Sequence, residues 1–241
     1  MMEILYNTKA VGLGISTVVS AVGGTPPYTY SVEVNAANPQ GTINSNGVYI
    51  ASFKTGTDHI IATDSLGATA EIYISVLPPL ELFCDILKVE MNLADDQVYI
   101  YNEKIQSITD SRMYIAVGIN SDKYFGNSNS SEVSVAGLNE VQSVNCMSNL
   151  SIDIVSRGNE ARERRAEIVL ALNSKYSQNQ QELNSFNVGK IPGVFTNLSK
   201  EEGASIPFRF NIGVNIQYFI KTVKAAAYFN QFLDVVLEIN K

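Results

Sequence analysis

The sequence predicts two domains: an all-β sandwich over residues 1–76 and an α+β domain over residues 79–241, with helices packed on an antiparallel sheet. Three observations support this prediction. Short β-branched and aromatic runs recur about every ten residues in the first third of the chain. A proline pair ends that pattern, and helical and strand periods alternate after it. The order of these later elements is typical of one antiparallel sheet covered by helices.

Five strand-forming runs build the first of these domains. They lie at residues 16–21, 29–34, 48–51, 59–63 and 70–76. Between them, GGTPP at residues 23–27 and Asn46-Gly47 supply residues that suit tight turns and positive φ angles. No helical period interrupts these runs, so we expect strands only.

Three motifs in the same region carry a family resemblance. They are GGTPPYTYSV at residues 23–32, GTINSNGVYIA at residues 41–51 and GTDHIIATDSLGATAEIYISV at residues 56–76. Together they resemble the immunoglobulin-like domains of bacterial and phage proteins. The resemblance implies an immunoglobulin-like β-sandwich with a decorating or adhesive role, although this fold hosts many functions.

The boundary between the domains is predicted at Pro78-Pro79. Proline suits the first residue of a helix, because its missing N–H group would be unpaired there in any case. Apolar residues then recur at helical spacing from Leu82 to Leu93, which predicts a helix over residues 79–93. Short strands are expected at residues 98–104 and 113–119.

The middle of the second domain changes from a polar stretch to a strand and then to a helix. Residues 122–137, DKYFGNSNSSEVSVAG, are rich in Ser and Asn and predict a long exposed loop or hairpin. Residues 140–156 predict a strand, and residues 160–186 predict the longest helix of the chain.

The surface of this predicted helix has two interpretations. Arg162, Arg164 and Arg165 alternate with acidic residues, which favours either a solvated face or a subunit interface. Gln178, Gln180 and Gln181 near its end suit a wet protein contact, although a merely exposed helix would have a similar sequence.

The stretch IPFRFNIGVNIQYFI at residues 206–220 is apolar at every even position, which predicts one very long, half-buried strand with a bend near Gly213. Strands are usually about 5–6 residues long, so this one should continue past its own core. We therefore expect it to meet another subunit. The predicted interface residues are Arg162, Arg164, Arg165, Gln178, Gln180, Gln181, Arg209, Asn211, Asn215 and Gln217.

Composition excludes several classes of function. The 241 residues are 45 % hydrophobic and 17 % charged, which excludes a disordered chain. The net charge of −7 argues against a nucleic-acid-binding surface, since phosphate contacts need clustered Lys and Arg. No apolar run reaches the length of about 18 residues that a membrane-spanning helix needs. The segment at residues 10–22 imitates a signal peptide but lacks a cleavage site, so secretion is not expected.

No familiar catalytic pattern occurs in the sequence. The single histidine, His59, excludes most catalytic triads, and we expect it to be an ordinary sheet residue. Cys84 and Cys146 are too few for a disulfide framework, so we expect two buried thiols. Nucleotide-binding glycine motifs are absent. We therefore expect neither an enzyme nor a bound metal or cofactor.

The second domain carries a resemblance of its own. The segments at residues 150–186 and 197–232 resemble the neck proteins of contractile-tailed bacteriophages, of the tail-terminator type. The resemblance implies a virion protein that forms a ring, commonly six-fold or a multiple of six, at the head-tail junction. Its partners would be other neck, tail-tube or sheath and head-connector proteins, and genomic DNA would pass through without tight binding. Both the terminator (gateway) and the collar position stay open.

A surface adhesin or carbohydrate-binding module on the immunoglobulin-like domain is the competing hypothesis. Sandwich lectins usually need exposed aromatic residues or a calcium cage. This chain has no Trp and no dense Asp/Asn calcium-loop motif. We therefore favour the ring.

Overall fold

The computed structural model describes residues 2–35, 38–101, 110–134, 137–191, 193–199 and 208–225. Within these residues the protein is mostly β-sheet with few helices, and the strands form three sheets. The predicted β-rich character is therefore confirmed.

Two four-stranded sheets form from the first third of the chain. Their strands are β1 (Glu3–Tyr6), β2 (Ala10–Gly12), β3 (Ser16–Val22), β4 (Thr29–Val32), β5 (Thr42–Ile43), β6 (Val48–Ile50), β7 (Gly56–Thr63) and β8 (Thr69–Leu77). The strand orders are β1-β3-β6-β5 and β2-β8-β7-β4. All five predicted runs are strands here, namely β3, β4, β6, β7 and β8. The strands β1, β2 and β5 were not predicted, because runs of two to four residues are too short to show a period.

One hydrophobic core lies between these two sheets. Tyr49, Ile60 and Ile74 are fully buried in it and come from both sheets. The hydroxyl of Tyr49 donates a 2.6 Å hydrogen bond to the buried carboxylate of Asp58. That carboxylate also accepts bonds from two backbone N–H groups, so both of these buried side chains have partners. The buried hydroxyl of Thr17 on β3, by contrast, has no hydrogen-bond partner among the described residues.

The turn before β6 requires glycine. Gly47 has a φ of 76°, in the left-handed region that only glycine adopts readily. A Cβ atom there would also collide with the carbonyl oxygen of Val19, which lies directly beside it. The predicted Asn-Gly turn therefore has a steric as well as a conformational cause.

The third sheet and the four α-helices of the described residues form from the part of the chain after Leu77. The elements are α1 (Pro79–Glu90), a 3₁₀ turn (Asp95–Gln97), β9 (Val98–Ile100), β10 (Tyr114–Ser134), β11 (Gly137–Ser156), α2 (Glu160–Arg164), α3 (Glu167–Leu172), α4 (Lys175–Leu183), β12 (Phe186–Val188), β13 (Thr196–Asn197) and β14 (Phe208–Ala225). The strand order is β12-β14-β11-β10-β9, and β13 also pairs with β14. The sheet is mixed, because β9 runs parallel to β10 while the other pairs are antiparallel.

A second hydrophobic core lies between this sheet and the helices. Phe83 and Leu87 of α1 pack with Ile152 of β11 and Ile212 of β14, and all four are almost completely buried. The predicted first helix is confirmed, with its end at Glu90. Both cysteines are buried, as expected, and neither forms a disulfide bond with another described residue.

The predicted continuous helix at residues 160–186 is wrong. The chain forms three short helices there, and the last of them begins anew at Ser174. Ser174 has an extended backbone, and its hydroxyl accepts a 3.0 Å bond from the N–H group of Ser177. A serine that caps a helix competes with continuation of the preceding one, which explains the break. Phe186 belongs to a strand, after Ser185 with a positive φ.

The described residues of the polar stretch, 122–134 and 137, form paired strands, which favours the hairpin over the loop. They belong to β10 and β11, which pair from Tyr114 opposite Val155 to Ser134 opposite Gly137. Short polar side chains pair across the strands, as in the 2.7 Å contact between the hydroxyls of Ser128 and Ser143. The strand predicted at residues 113–119 is thus only the beginning of β10.

The long strand predicted at residues 206–220 is confirmed from Phe208 onward, as β14, and it continues to Ala225. Residues 206 and 207 lie outside the described residues. The pairing of β14 with β11 passes Gly213 without a register shift. The strand predicted at residues 98–104 is confirmed only for Val98–Ile100, since most of its remainder also lies outside the described residues.

Candidate assembly surface

Three strands continue past the second core. The last buried members of the second core on them are Val117 of β10, Leu150 of β11 and Ile216 of β14, and Cys146 and Val141 of β11 are also buried farther along. Beyond the second core the strands form a three-stranded extension that we call the arm. It consists of residues 119–134 of β10, 137–149 of β11 and 217–225 of β14. At about 3.3 Å per residue, the central strand of the arm spans roughly 40 Å.

The arm exposes several large apolar side chains. Phe219 is 62 % exposed and Tyr124 is 57 % exposed, although both belong to regular strands. Phe125, Ile220 and Val223 are also exposed. Single exposed apolar residues are normal, but a group along one extension is typical of an interaction site.

A polar cluster fixes the base of the arm. The buried hydroxyl of Ser148 donates a 2.6 Å bond to Asp122 and lies 3.2 Å from the hydroxyl of Tyr218. The thiol of Cys146 lies 3.7 Å from the same serine. Burial, followed by the nearby thiol and Asp122, raises the pKa of Tyr218 to about 12. Tyr218 is therefore neutral at physiological pH, and the cluster acts as a structural cross-link between the three strands.

The edges of the sheet are covered near the core and open along the arm. On one side β9 pairs with β10 at residues 115–117, and the N–H group of Tyr101 donates to the carbonyl of Val117. On the other side β12 pairs with β14 at residues 216–218. Among the described residues, no strand pairs with the outer edge of β10 beyond residue 117 or with that of β14 beyond residue 218.

The two open edges differ in regularity. β10 contains two bulges, between Ile119 and Ser121 and between Phe125 and Asn127, and Gly126 has a φ of 57°. Bulges disturb edge pairing and protect an exposed strand from unwanted partners. β14 pairs with β11 without any shift as far as Ala225. The regular edges are therefore residues 127–134 of β10 and residues 219–225 of β14.

The predicted interface arginines mostly have partners within the chain. Arg164 forms ion pairs with Glu160 at 2.9 Å and Glu167 at 2.8 Å, and it donates to the carbonyl of Met91. Its bonds to Glu167 are the main reason that its pKa is raised. The guanidinium of Arg165 lies over the ring of Phe210, with 4.9 Å between Cζ and the ring centroid. These two arginines thus hold α2 onto the fold.

Two of the predicted glutamines also have internal roles. Gln180 is buried and accepts a 3.1 Å bond from Asn184. The side-chain oxygen of Asn184 accepts a 2.7 Å bond from the N–H group of Gly12, which links α4 to the first core. Gln181 accepts from the N–H group of Val188. The protein contact that the sequence predicts for these amide side chains is therefore made in part within the chain itself.

Arg209 and Asn211 belong to a network on the sheet face that points away from the helices. Arg209 pairs with Asp153 at 3.0 Å, and this contact is the main cause of its raised pKa. The amide of Asn211 donates to Asp153 at 2.9 Å and to Ser151 at 2.6 Å. This network binds β14 to β11.

Four of the predicted interface residues are exposed: Arg162, Gln178, Asn215 and Gln217. Asn215 and Gln217 lie on β14 at the base of the arm. The carbonyl of Asn215 accepts a 2.7 Å bond from Gly189, so the backbone edge at this position is already occupied. The arm residues Tyr124, Phe125 and Val223 were not predicted as interface residues, although aromatic residues in a Ser/Asn-rich stretch were an available signal.

An apolar cleft of about 630 Å³ lies between the first sheets and the base of the arm. Its walls include Leu13, Phe53, Leu80 and Ile119. Within the described ranges, no group of three or more His, Cys, Asp and Glu residues could hold a metal ion. In the same ranges, no helix is long and apolar enough to span a bilayer.

His59 lies in β7, between two carboxylates. Its ring nitrogens contact Glu33 at 3.0 Å and Glu71 at 2.9 Å, and its ring stacks on Tyr73. Glu33 is the main cause of the raised pKa of His59. The histidine thus cross-links β-strands on a sheet surface.

No protein-family model matches the chain, and no curated protein matches it significantly.

Proposed function

We propose that this chain is a structural virion protein of a phage neck, which forms a ring at the head-tail junction. The ring caps the tail tube and joins it to the head connector, in the manner of tail-terminator, gateway or collar proteins. One observation carries this proposal: the three strands that extend past their core expose apolar side chains and open edges. Such an arm gains stability when another chain covers it.

The proposed division of labour follows the two hydrophobic cores. Residues 1–76 are proposed as an immunoglobulin-like sandwich that decorates the outside of the ring. Residues 79–241 are proposed as the α+β, tail-terminator-like domain that builds the ring. The separate cores support this division, because each has its own buried side chains.

The exposed residues near and on the arm are the proposed contact surface. Asn215 and Gln217 adjoin Phe219 along β14, and amide and aromatic side chains are common in protein interfaces. Arg162 and Gln178 lie on the helices and remain candidates for contacts with other neck, tail-tube, sheath or connector proteins.

Genomic DNA would pass through the ring without tight binding. The net charge of −7 supports this part of the proposal, since clustered positive charge would retain the duplex. Tight and steeply salt-dependent binding of duplex DNA by the purified protein would contradict it. We propose no enzymatic role, because the sequence lacks the familiar catalytic patterns.

The solution mass of the full-length protein tests the proposal. A ring-forming protein should give a particle of six copies of the 26.3-kDa chain, or a multiple of six. A monomer at all concentrations would instead favour the adhesin or carbohydrate-binding module. Electron microscopy of intact particles with antibody against the first domain would then locate the ring.

A further inference from the structure

We propose that the arms of neighbouring copies pair through unlike edges. In this arrangement, residues 127–134 of β10 in one copy lie beside residues 219–225 of β14 in the next copy, as parallel strands. The inference rests on the proposed ring and specifies which surfaces close it.

The two edges lie at the same level of the arm. Val141 of the central strand is opposite Ser130 of β10 on one side and Val223 of β14 on the other. Val144 is opposite Asn127 and Ile220 in the same way. The two open edges are therefore nearly equal in length and flank the same part of β11.

Strand direction determines how copies meet. Both β10 and β14 run antiparallel to β11, so they run in the same direction as each other. Rotation about an axis along the arm keeps that direction and brings the β10 edge of one copy beside the β14 edge of another. Contacts between unlike surfaces generate a closed ring when the rotation closes.

The chemistry of the two edges supports the pairing. The β14 edge is flat and carries Phe219 and Val223, whose exposure would be costly in a free strand edge. The same edge carries exposed Lys221 and Lys224. Like charges would meet if two β14 edges paired, which favours pairing of unlike edges.

Disulfide trapping tests this inference. In the variant Ser130→Cys/Val223→Cys, the two new thiols flank Val141 on the same face of the arm, two strand spacings or about 10 Å apart. A disulfide needs Cα atoms within about 7 Å, so a bond between them cannot form within one chain. Any cross-link must therefore join two copies.

The two edges can also pair in a register that is shifted along the strand. The variant Ser128→Cys/Val223→Cys shifts the tested register by two residues on the same face. We expect at least one of the two double variants, after oxidation, to give a ladder of covalent oligomers that ends at the closed ring. The single variants should remain uncross-linked, because Cys84 and Cys146 are buried.

The matched control is Ser121→Cys/Asn215→Cys. These two residues lie on either side of Asn149, just as Ser130 and Val223 lie on either side of Val141. The β14 edge at Asn215 differs, because the N–H group of Gly189 already binds it. This control should give no ladder.

The outcomes separate the inference from the function on which it rests. Cross-linked dimers from Val223→Cys alone would show pairing of like edges and overturn the inference. A ring of normal mass without a ladder from either double variant would also overturn the inference, because another segment would then cover the edge. That outcome would leave the proposed ring itself intact. A monomeric wild-type protein would contradict the proposed function itself.

Discussion

The two halves of the long sheet use the same strands in opposite ways. Near the helices, Leu150, Ile152 and Val214 are almost fully buried, and β9 and β12 pair with the outer strands. Along the arm, β14 continues beside β11 with a regular register, while Tyr124, Phe219 and Ile220 are exposed. The comparison shows that strand length and core length are set separately. A strand that continues regularly beyond its own core has a second surface, which favours contact with another chain.

The largest expected difference between the halves concerns stability. Ile152→Ala removes a fully buried side chain and should lower the free energy of unfolding by about 2–5 kcal/mol. Phe219→Ala, on the exposed arm, should lower it by less than about 1 kcal/mol in the monomer. Urea denaturation at low protein concentration measures both values. Equal losses would show that the arm is packed against something within the chain.

A second comparison concerns the contact between the two cores. Asn184→Ala leaves the N–H group of Gly12 without its acceptor and should cost about 1–3 kcal/mol. Asn179→Ala, on the exposed side of the same helix, is the matched control and should change stability by less than about 0.5 kcal/mol. If thermal unfolding shows no difference between them, the link to Gly12 does not contribute to the fold.

The smallest expected effect is a pH dependence at His59, on the surface of the sheet that contains β7 and far from the arm in sequence. The raised pKa of His59 means that the folded state holds its proton more tightly than the unfolded state does. Its stabilisation is therefore complete below about pH 6.5 and is lost as the pH rises through the folded pKa. His59→Gln should remove the loss of stability that begins above about pH 6.5. A wild-type slope that persists in the variant would assign the effect to other groups.

Periodicity predicted the elements that bury one face over several residues. The long strand, the first helix and five short strands of the first third follow this rule. It failed where local capping decided the outcome, as at Ser174, which divides the predicted long helix. It was also ambiguous for residues 122–137, because their partners lie across the hairpin and their own sequence lacks a hydrophobic face.

The interface residues were only partly predictable for a related reason. Polarity selected Arg164, Gln180 and Arg209, but a single sequence does not show that Glu160, Asn184 and Asp153 lie beside them. The open edges depend on where β9 and β12 end, and no local pattern encodes that. The strand itself was predictable, whereas the part of its edge that no described strand covers is visible only in the structure.

The most direct test of the central claim is the solution mass of the full-length protein beside two adjacent proline variants, Thr222→Pro and Val223→Pro. Successive N–H groups of a strand point to opposite sides, so one variant removes a bond to β11 and the other removes only an outward N–H group. The account predicts a ring for the wild type and a folded 26.3-kDa monomer for the outward variant. A monomeric wild type, or unchanged rings in both proline variants, would contradict it.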